Sequence, residues 1–349
     1  MAIVTESENP VYVTVSALDA GHITLPDCLF VTGADPKART TVPSLSFLIQ
    51  HPSPPASRSG NVTNLLFDLG VKRDLSGYAP AIRPHITTRQ PVIIDPDCSA
   101  SLRRGVRNED RDQALLKPEK EVDFVILSHV HWDHVGTPSD FPSATFVVGS
   151  GTLDLLEHGA VPHYPPELFN TDELPASRTI ELPPTPRRDR EFREYYAGPT
   201  TPVHTPAPVE TRAKLPAVAH EWSWKPFSGF PRTIDFFGDR SVYVIDSPGH
   251  VHGHVNLLVR ISAKKYVYLG GDCCHDTRIL SGEKGIAEYD DGRGGLRSVH
   301  VNTGLARDTL AKINEGVSQL RRDMVVEVVL AHDRGWREQN RHRFWPDKL

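Results

Sequence analysis

Short apolar runs bounded by glycine, proline or aspartate recur along this chain, and most have the length of β-strands. In the second half, residues 241–246 alternate as a strand does, and residues 265–269 form another strand-like run. Residues 324–330 are almost wholly apolar. Because an unbroken apolar run is typical of a strand covered on both sides, we predict that residues 324–330 are buried on both faces.

The first half repeats this strand pattern. Residues 11–17, 44–50, 62–69 and 145–148 predict four more strands. Residues 306–322 differ, because their apolar side chains recur at helical spacing. That spacing predicts an amphipathic helix that covers a sheet.

One long segment, residues 160–230, is rich in proline and aromatic residues and has no clear period. Disordered segments are poor in aromatics, so we expect an ordered insertion that walls a pocket. Trp222, Trp224 and Phe227 would then contact the substrate, unless they pack the insertion onto the rest of the fold. The glycine-rich residues 276–297 are a second candidate wall.

Composition narrows the possible partners and the location. The net charge of −5 and the lack of a long Lys/Arg run argue against nucleic acid. Four cysteines form no spaced disulfide framework, the first residues do not form a leader sequence, and no apolar stretch reaches the roughly 20 residues of a membrane span. We therefore expect a cytoplasmic protein with a small-molecule substrate and no membrane partner.

The densest chemical signal follows the apolar residues 122–127. His129-Val130-His131-Trp132-Asp133-His134 places three imidazoles and one carboxylate within six residues. Imidazole nitrogen and carboxylate oxygen are ligands that suit Zn²⁺, Fe²⁺, Mn²⁺ or Co²⁺. This cluster therefore predicts a metal site. Ser128 precedes the cluster, and no role is expected for it.

Three distant residues could complete that site. His250, Asp272 and His332 each follow a predicted strand, after a turn or glycine pair in the first two cases. Side chains just beyond strand ends can converge on one cleft. Together, the three distant residues strengthen the prediction of a metal site.

At this point the chain resembles the metallo-β-lactamase superfamily of hydrolases. The resemblance rests on five motifs in the family's order, namely Phe67-Asp68-Leu69-Gly70, the histidine cluster, Ser247-Pro248-Gly249-His250, Gly271-Asp272 and Ala331-His332-Asp333. It implies an α/β fold, a four-layer αββα sandwich, with residues 1–349 as one domain that carries the 160–230 insertion.

The resemblance also implies a role for each residue. One ion, with Zn²⁺ as the first choice, would be held by His129, His131 and His250. A second would be held by Asp133, His134 and His332, with Asp272 bridging the two. Asp68 and His254 would lie behind the ligands and support them.

The Trp132-Asp133-His134 ending and residues 248–254 are similar to N-acyl homoserine lactone lactonases and to fungal relatives that open lactone or lactam rings, including benzoxazolinone-type compounds. Those lactonases carry tyrosine where this chain has His275. We therefore expect a hydrolase of cyclic esters or amides, in which the ions activate a shared water molecule, Asp133 passes on its proton and His275 protonates a leaving nitrogen. A thioesterase or other acyl-ester hydrolase and a non-catalytic metal-binding scaffold are the alternatives.

Overall fold

The first six strands form one sheet. The structure is a computed structural model that describes residues 9–52, 62–105, 116–185 and 215–349. The sheet has the order β1-β2-β3-β4-β5-β6, with the first three strands antiparallel and β3 to β6 parallel. Its strands are β1 (Thr14–Pro26), β2 (Arg39–His51), β3 (Thr63–Phe67), β4 (Phe124–Ile126), β5 (Thr145–Val148) and β6 (Thr179–Glu181).

A second six-stranded sheet faces the first. It contains β7 (Lys225–Phe227), β8 (Phe230–Asp235), β9 (Val242–Asp246), β10 (Val255–Ser262), β11 (Lys265–Gly270) and β14 (Val325–Leu330). Its order is β14-β11-β10-β9-β8-β7, and β11 and β14 run parallel. A separate small hairpin joins β12 (Tyr289–Asp290) to β13 (Leu296–Arg297).

Helices cover the outer faces of both sheets. They are α1 (Arg83–Thr87), α2 (Cys98–Arg104), α3 (Pro118–Glu121), α4 (Thr152–His158), α5 (Thr277–Leu280), α6 (Thr303–Leu320) and α7 (Arg334–Gln339). The long helix α6 begins after Asn302, whose side-chain oxygen accepts a hydrogen bond from the Leu305 amide at 2.8 Å. This cap satisfies one of the amides that a helix start leaves without a partner.

Three layers of buried side chains separate these elements. The central layer holds residues from both sheets, such as Phe67 and Leu257. One outer layer lies between the first sheet and α2 and α4, and the other between the second sheet and α6. Strands with apolar residues on both faces need a covering layer on each side of the sheet. The predicted four-layer αββα sandwich is therefore confirmed.

The predicted strands and the helix at residues 306–322 are present, although β1 is longer than expected and its pairing with β2 shifts between Asp19 and His22. The expected burial of residues 324–330 on both faces is wrong. β14 is an edge strand, and Val325 is 60% exposed. An apolar run indicates that both faces of a strand could be buried. The position of the strand in the sheet decides whether they are.

Two other expectations bear on the fold. All four cysteines are free, which confirms that they form no disulfide framework. Within the described ranges, no helix is both long and apolar enough to span a membrane. Of the predicted insertion at 160–230, residues 186–214 lie outside the described residues.

Candidate metal centre and substrate cavity

The residues of the candidate metal centre all follow strand ends. Asp68 comes directly after β3, and the histidine cluster follows β4. In the second sheet, His250, Asp272 and His332 follow β9, β11 and β14. These three strands run in the same direction, so their carboxyl ends meet at one edge. The fold thus brings together residues that lie as far apart in the chain as Asp68 and His332.

The first group of donor atoms is a tight cluster. His131 Nδ1 lies 3.0 Å from His129 Nε2 and 3.0 Å from His250 Nε2. Asp272 Oδ2 lies 3.4 Å from His250 Nε2 and 3.7 Å from His129 Nε2. One ligand atom from each of these four residues therefore faces a common point.

The second group lies on the other side of Asp272. Its Oδ1 is 3.2 Å from His134 Nε2 and 3.1 Å from His332 Nε2. Asp133 Oδ2 is 3.5 Å from the same His332 nitrogen. The two oxygens of one carboxylate thus face two different histidine groups.

These donor atoms fit divalent metal ions. His134 Nε2, His332 Nε2 and Asp272 Oδ1 are buried without a well-formed hydrogen bond. Buried polar atoms without partners are costly, and imidazole nitrogens that face one another repel through their lone pairs. A cation between them removes both costs. Imidazole and carboxylate together suit Zn²⁺, Mn²⁺, Fe²⁺ or Co²⁺.

The protonation states of the histidines agree with that function. Burial lowers the pKa of His129 and His250 well below its ordinary value, and lowers that of His131 to about 4. These imidazoles are therefore neutral and able to ligate. Burial also acts to lower the pKa of His134, but Asp272 and Asp68 outweigh it and raise the pKa. An ion at the second group would therefore displace a proton from His134.

Asp68 holds the histidine cluster from behind. Its carboxylate accepts hydrogen bonds from the Ser128 amide at 2.6 Å, the Ser128 hydroxyl at 2.7 Å and His134 Nδ1 at 2.9 Å. The Ser128 hydroxyl also lies 2.9 Å from His129 Nδ1. The expectation that Ser128 has no role is therefore wrong, because its hydroxyl links Asp68 to His129.

Other contacts orient the remaining ligands. His332 Nδ1 donates to the Pro43 carbonyl at 2.8 Å, which leaves Nε2 free to bind a cation. His250 Nδ1 lies 3.2 Å from His300 Nδ1. Gly271 allows Asp272 to approach this region, since a Cβ on Gly271 would lie 2.6 Å from Ser128 Cβ. A larger residue would push the strand end away from the cluster.

His275 and His254 both lie close to the clusters. His275 Nε2 is 3.0 Å from Asp272 Oδ2, and the ring of His275 packs 4.6 Å from that of Phe30. His275 could itself ligate together with Asp272 and His332. The ring of His254 lies 5.1 Å from that of His129, and burial lowers the pKa of His254 to about 3. His254 therefore packs against His129 as a neutral ring.

A cavity of about 250 Å³ opens onto the two groups. His131, Asp133, His250, Asp272, His275 and His332 line its floor. Its walls include Tyr164, Phe169 and Glu173 from the first part of the insertion, and Tyr289 and Arg297 from the glycine-rich segment. The described part of both expected walls therefore does border this cavity.

Trp222, Trp224 and Phe227 do not line it, and their expected contact with the substrate is corrected by the structure. The indole N–H of Trp222 donates to the Phe236 carbonyl at 3.1 Å, and that of Trp224 donates to the Pro183 carbonyl at 2.7 Å. Phe227 lies in the edge strand β7 and stacks on Tyr243. These rings cover the side of the sandwich, where they shield apolar surface from water.

Comparison with known proteins agrees with this geometry. A protein-family model for the metallo-beta-lactamase superfamily matches residues 82–270, more than half of the chain. The chain belongs to the metallo-β-lactamase superfamily. The predicted class, a metal-dependent hydrolase, is thereby confirmed at the level of the family.

Two fungal relatives and one solved structure are informative. The chain is 29% identical over 352 residues to a Penicillium brevicompactum protein named cytochrome P450 monooxygenase mpaDE, and the match covers 97% of this chain but 35% of that protein. It is 28% identical over 237 residues to gamma-lactamase FDB1 of Fusarium pseudograminearum, covering 66% of this chain and 45% of the relative. The chain thus spans about a third to a half of the length of these relatives.

The solved structure is an N-acyl homoserine lactone hydrolase with the product N-hexanoyl-L-homoserine bound at its catalytic metal centre. It aligns with 98% of this chain and 100% of its own, with 13% sequence identity and a TM-score of 0.59. At this identity the match shows the superfamily fold.

Sequence reasoning did not single out three residues that lie at the candidate metal centre or its cavity. His300 contacts His250, Tyr164 packs 4.6 Å from the ring of His131, and Arg89 lines the cavity. Each lies in a loop or just after a short helix, outside any motif of ligand spacing. Two signals were available, because Tyr164 lies in the aromatic-rich segment 160–230 and His300 follows the glycine-rich residues 276–297, and both segments were candidate pocket walls.

Proposed function

We propose that this chain is a dinuclear metal hydrolase that opens a cyclic ester or cyclic amide. The observation that carries the proposal is Asp272, whose Oδ2 faces His129 and His250 while its Oδ1 faces His134 and His332. A carboxylate shared in this way suits a site for two ions. The lactone hydrolase and gamma-lactamase among the similar proteins support the reaction class.

The side chains of the site would have separate roles in metal binding and proton transfer. His129, His131 and His250 would hold one ion, Asp133, His134 and His332 the other, and Asp272 both. Two divalent ions there would supply Lewis acidity and lower the pKa of water. Asp133 lines the cavity and can accept the proton that an attacking water loses. His275, which also lines the cavity, would protonate a leaving nitrogen.

The cavity favours a small, flat substrate. Aromatic rings of Phe30, Tyr164 and Phe169 border the floor, and the volume of about 250 Å³ suits a compound of one or two rings. A small lactone, lactam or cyclic carbamate, including a benzoxazolinone, has that size and one carbonyl to present to the floor.

The test is an assay of the Zn²⁺-loaded and Mn²⁺-loaded protein on four matched compounds: dihydrocoumarin, benzoxazolinone, an aryl thioester and an aryl phosphodiester. We expect ring opening of the first two. Hydrolysis of the thioester or phosphodiester, with neither ring compound opened, would contradict the proposal. Metal-loaded protein that hydrolyses none of the four compounds would also contradict it.

His275 provides a finer test. An alkoxide can leave onto a cation, whereas a ring nitrogen leaves poorly as an anion and needs a proton. His275→Tyr should therefore slow opening of 3,4-dihydroquinolin-2-one, the lactam analogue of dihydrocoumarin, more than it slows dihydrocoumarin opening, with metal content unchanged. Equal losses on both compounds would show that His275 only positions the carbonyl.

A further inference from the structure

The cavity has an uneven distribution of charge above the candidate metal centre. Apart from Asp133 and Asp272 on the floor, Glu173 is the one carboxylate among the described residues that line it. Glu173 is already paired with the buried ammonium group of Lys72. Two further cations, Arg89 and Arg297, also line the cavity. The charge on the cavity walls that no neighbouring ion pair neutralises is therefore positive.

Arg89 is the unusual member of this pair. It is 7% exposed, and among the described residues no carboxylate lies within 4.0 Å of its guanidinium group and no acceptor is hydrogen-bonded to it. Its recorded side-chain contact is with the ring of Phe30, whose centroid lies 6.0 Å from Arg89 Cζ. A buried arginine normally has an anionic partner, because desolvation of an unpaired charge is costly.

Burial lowers the pKa of Arg89, and the charge of Asp133 on the cavity floor offsets this effect only in part. Arg39, which donates to the Thr88 carbonyl at 2.5 Å, lies on the outer side and acts against Arg89 as a like charge. His85 also lines the cavity, and burial together with the charge of Arg89 lowers the pKa of His85 to about 4. At neutral pH, His85 is uncharged and Arg89 keeps its proton. Arg89 therefore presents a full positive charge and several N–H donors to the cavity.

Phe30 fixes the position of Arg89 relative to the reacting centre. One contact of the Phe30 ring is with Arg89, and another is with the His275 ring at 4.6 Å. His275 in turn contacts Asp272. Phe30 therefore contacts both Arg89 and His275, and the guanidinium group borders the same cavity as the candidate metal centre.

We propose that Arg89 binds an anionic group, such as a carboxylate, on the part of the substrate that does not react. The proposal rests on the proposed function and narrows it to ring compounds that carry an acidic substituent. The carbonyl to be attacked would face the metal ligands while the substituent pairs with Arg89. A guanidinium group can give a carboxylate two parallel hydrogen bonds, which would also fix the orientation of the ring.

The experiment measures binding, so that it does not depend on turnover. Calorimetric titration of the Zn²⁺-loaded protein compares benzoate with its neutral counterpart benzamide, in the native chain and in Arg89→Met, Arg89→Lys and Arg39→Met. Charge-assisted hydrogen bonds predict that the ratio of benzoate to benzamide affinity falls roughly tenfold or more in Arg89→Met. Arg89→Lys should retain part of the ratio, and Arg39→Met most of it.

Two results would overturn the proposal. Benzoate that binds through the metal ions alone would give the same ratio in Arg89→Met as in the native chain. Equal affinities of the native chain for benzoate and benzamide would also contradict the proposal. Circular dichroism checks that Arg89→Met is folded, and Arg89→Lys supplies the comparison if it is not. The two proposals can also fail separately. If the native chain hydrolyses neither ring compound but Arg89→Met still lowers benzoate affinity, the proposed function is wrong and the anion site stands.

Discussion

Asp68 adopts a backbone conformation that residues other than glycine rarely take, with φ of 60°. Such a conformation costs on the order of 1 kcal/mol or more, and it persists where the surroundings hold it in place. Here three hydrogen bonds from Ser128 and His134 hold the carboxylate. The strain aims one buried carboxylate at the back of the histidine cluster.

Asp68→Asn should weaken metal binding about 10- to 100-fold, because an amide cannot accept all three hydrogen bonds that orient the cluster. Competition with a chelator measures the affinity. Asp97→Asn is the matched control, since Asp97 is equally buried and accepts from the Ala100 amide away from the clusters. Equal affinities in both variants would contradict the support that we assign to Asp68.

At the scale of elements, an edge strand that leads to the candidate metal centre is held in place by the segment packed against it. β14 is exposed at the edge of the second sheet, yet it carries His332. Glu327 in this strand holds the C-terminal segment against it. Its carboxylate accepts two hydrogen bonds from Arg343, at 2.6 and 2.8 Å, and one from the Trp336 indole at 2.9 Å. The segment therefore covers part of the edge strand that leads to His332, a residue of the candidate metal centre.

Glu327→Gln should lower the free energy of unfolding by about 2 kcal/mol at pH 7. Burial raises the pKa of Glu327, but Arg343, Lys265 and Trp336 outweigh it and lower the pKa to about 2. Because the folded-state pKa is depressed, this stability is present above the ordinary pKa of about 4.5 and is lost as pH falls towards 2.

Urea unfolding at pH 7 and pH 3 measures the difference between native and Glu327→Gln, which should narrow at the lower pH. Glu338→Gln is the control, because Glu338 pairs with Arg334 on the surface, where ion pairs contribute little. A difference that stays constant with pH would contradict the ionic role of Glu327.

The aromatic residues of the insertion separate into two functions. Phe169 borders the cavity, whereas Trp224 anchors the side of the sandwich through Pro183. Trp224→Phe should lower the melting temperature and leave KM unchanged, because it removes one hydrogen bond remote from the cavity. Phe169→Ala should instead raise KM on the ring substrate that the native chain hydrolyses. A raised KM in Trp224→Phe would show that our placement of the pocket wall is wrong.

At the scale of the whole molecule, the sequence predicts what depends on local pattern and ligand chemistry. Strand ends followed by His129, His250 and Asp272 predicted the convergence, because apolar runs mark strands and imidazoles mark metal sites. It could not predict which aromatic residues border the cavity or that Arg89 enters it. These features depend on how loops pack. A loop sequence has no helical or strand periodicity from which the direction of its side chains could be predicted. The single domain spanning residues 1–349 stays a prediction.

The central claim is that one carboxylate is shared by two metal ions, and metal content per chain tests it most directly. Inductively coupled plasma mass spectrometry on folded protein should find two divalent ions in the native chain and in Asp97→Asn, but at most one in Asp272→Ala, because Asp272 alone faces both histidine groups. Two ions retained in Asp272→Ala, or fewer than two in the native chain after loading with excess Zn²⁺, would contradict the account.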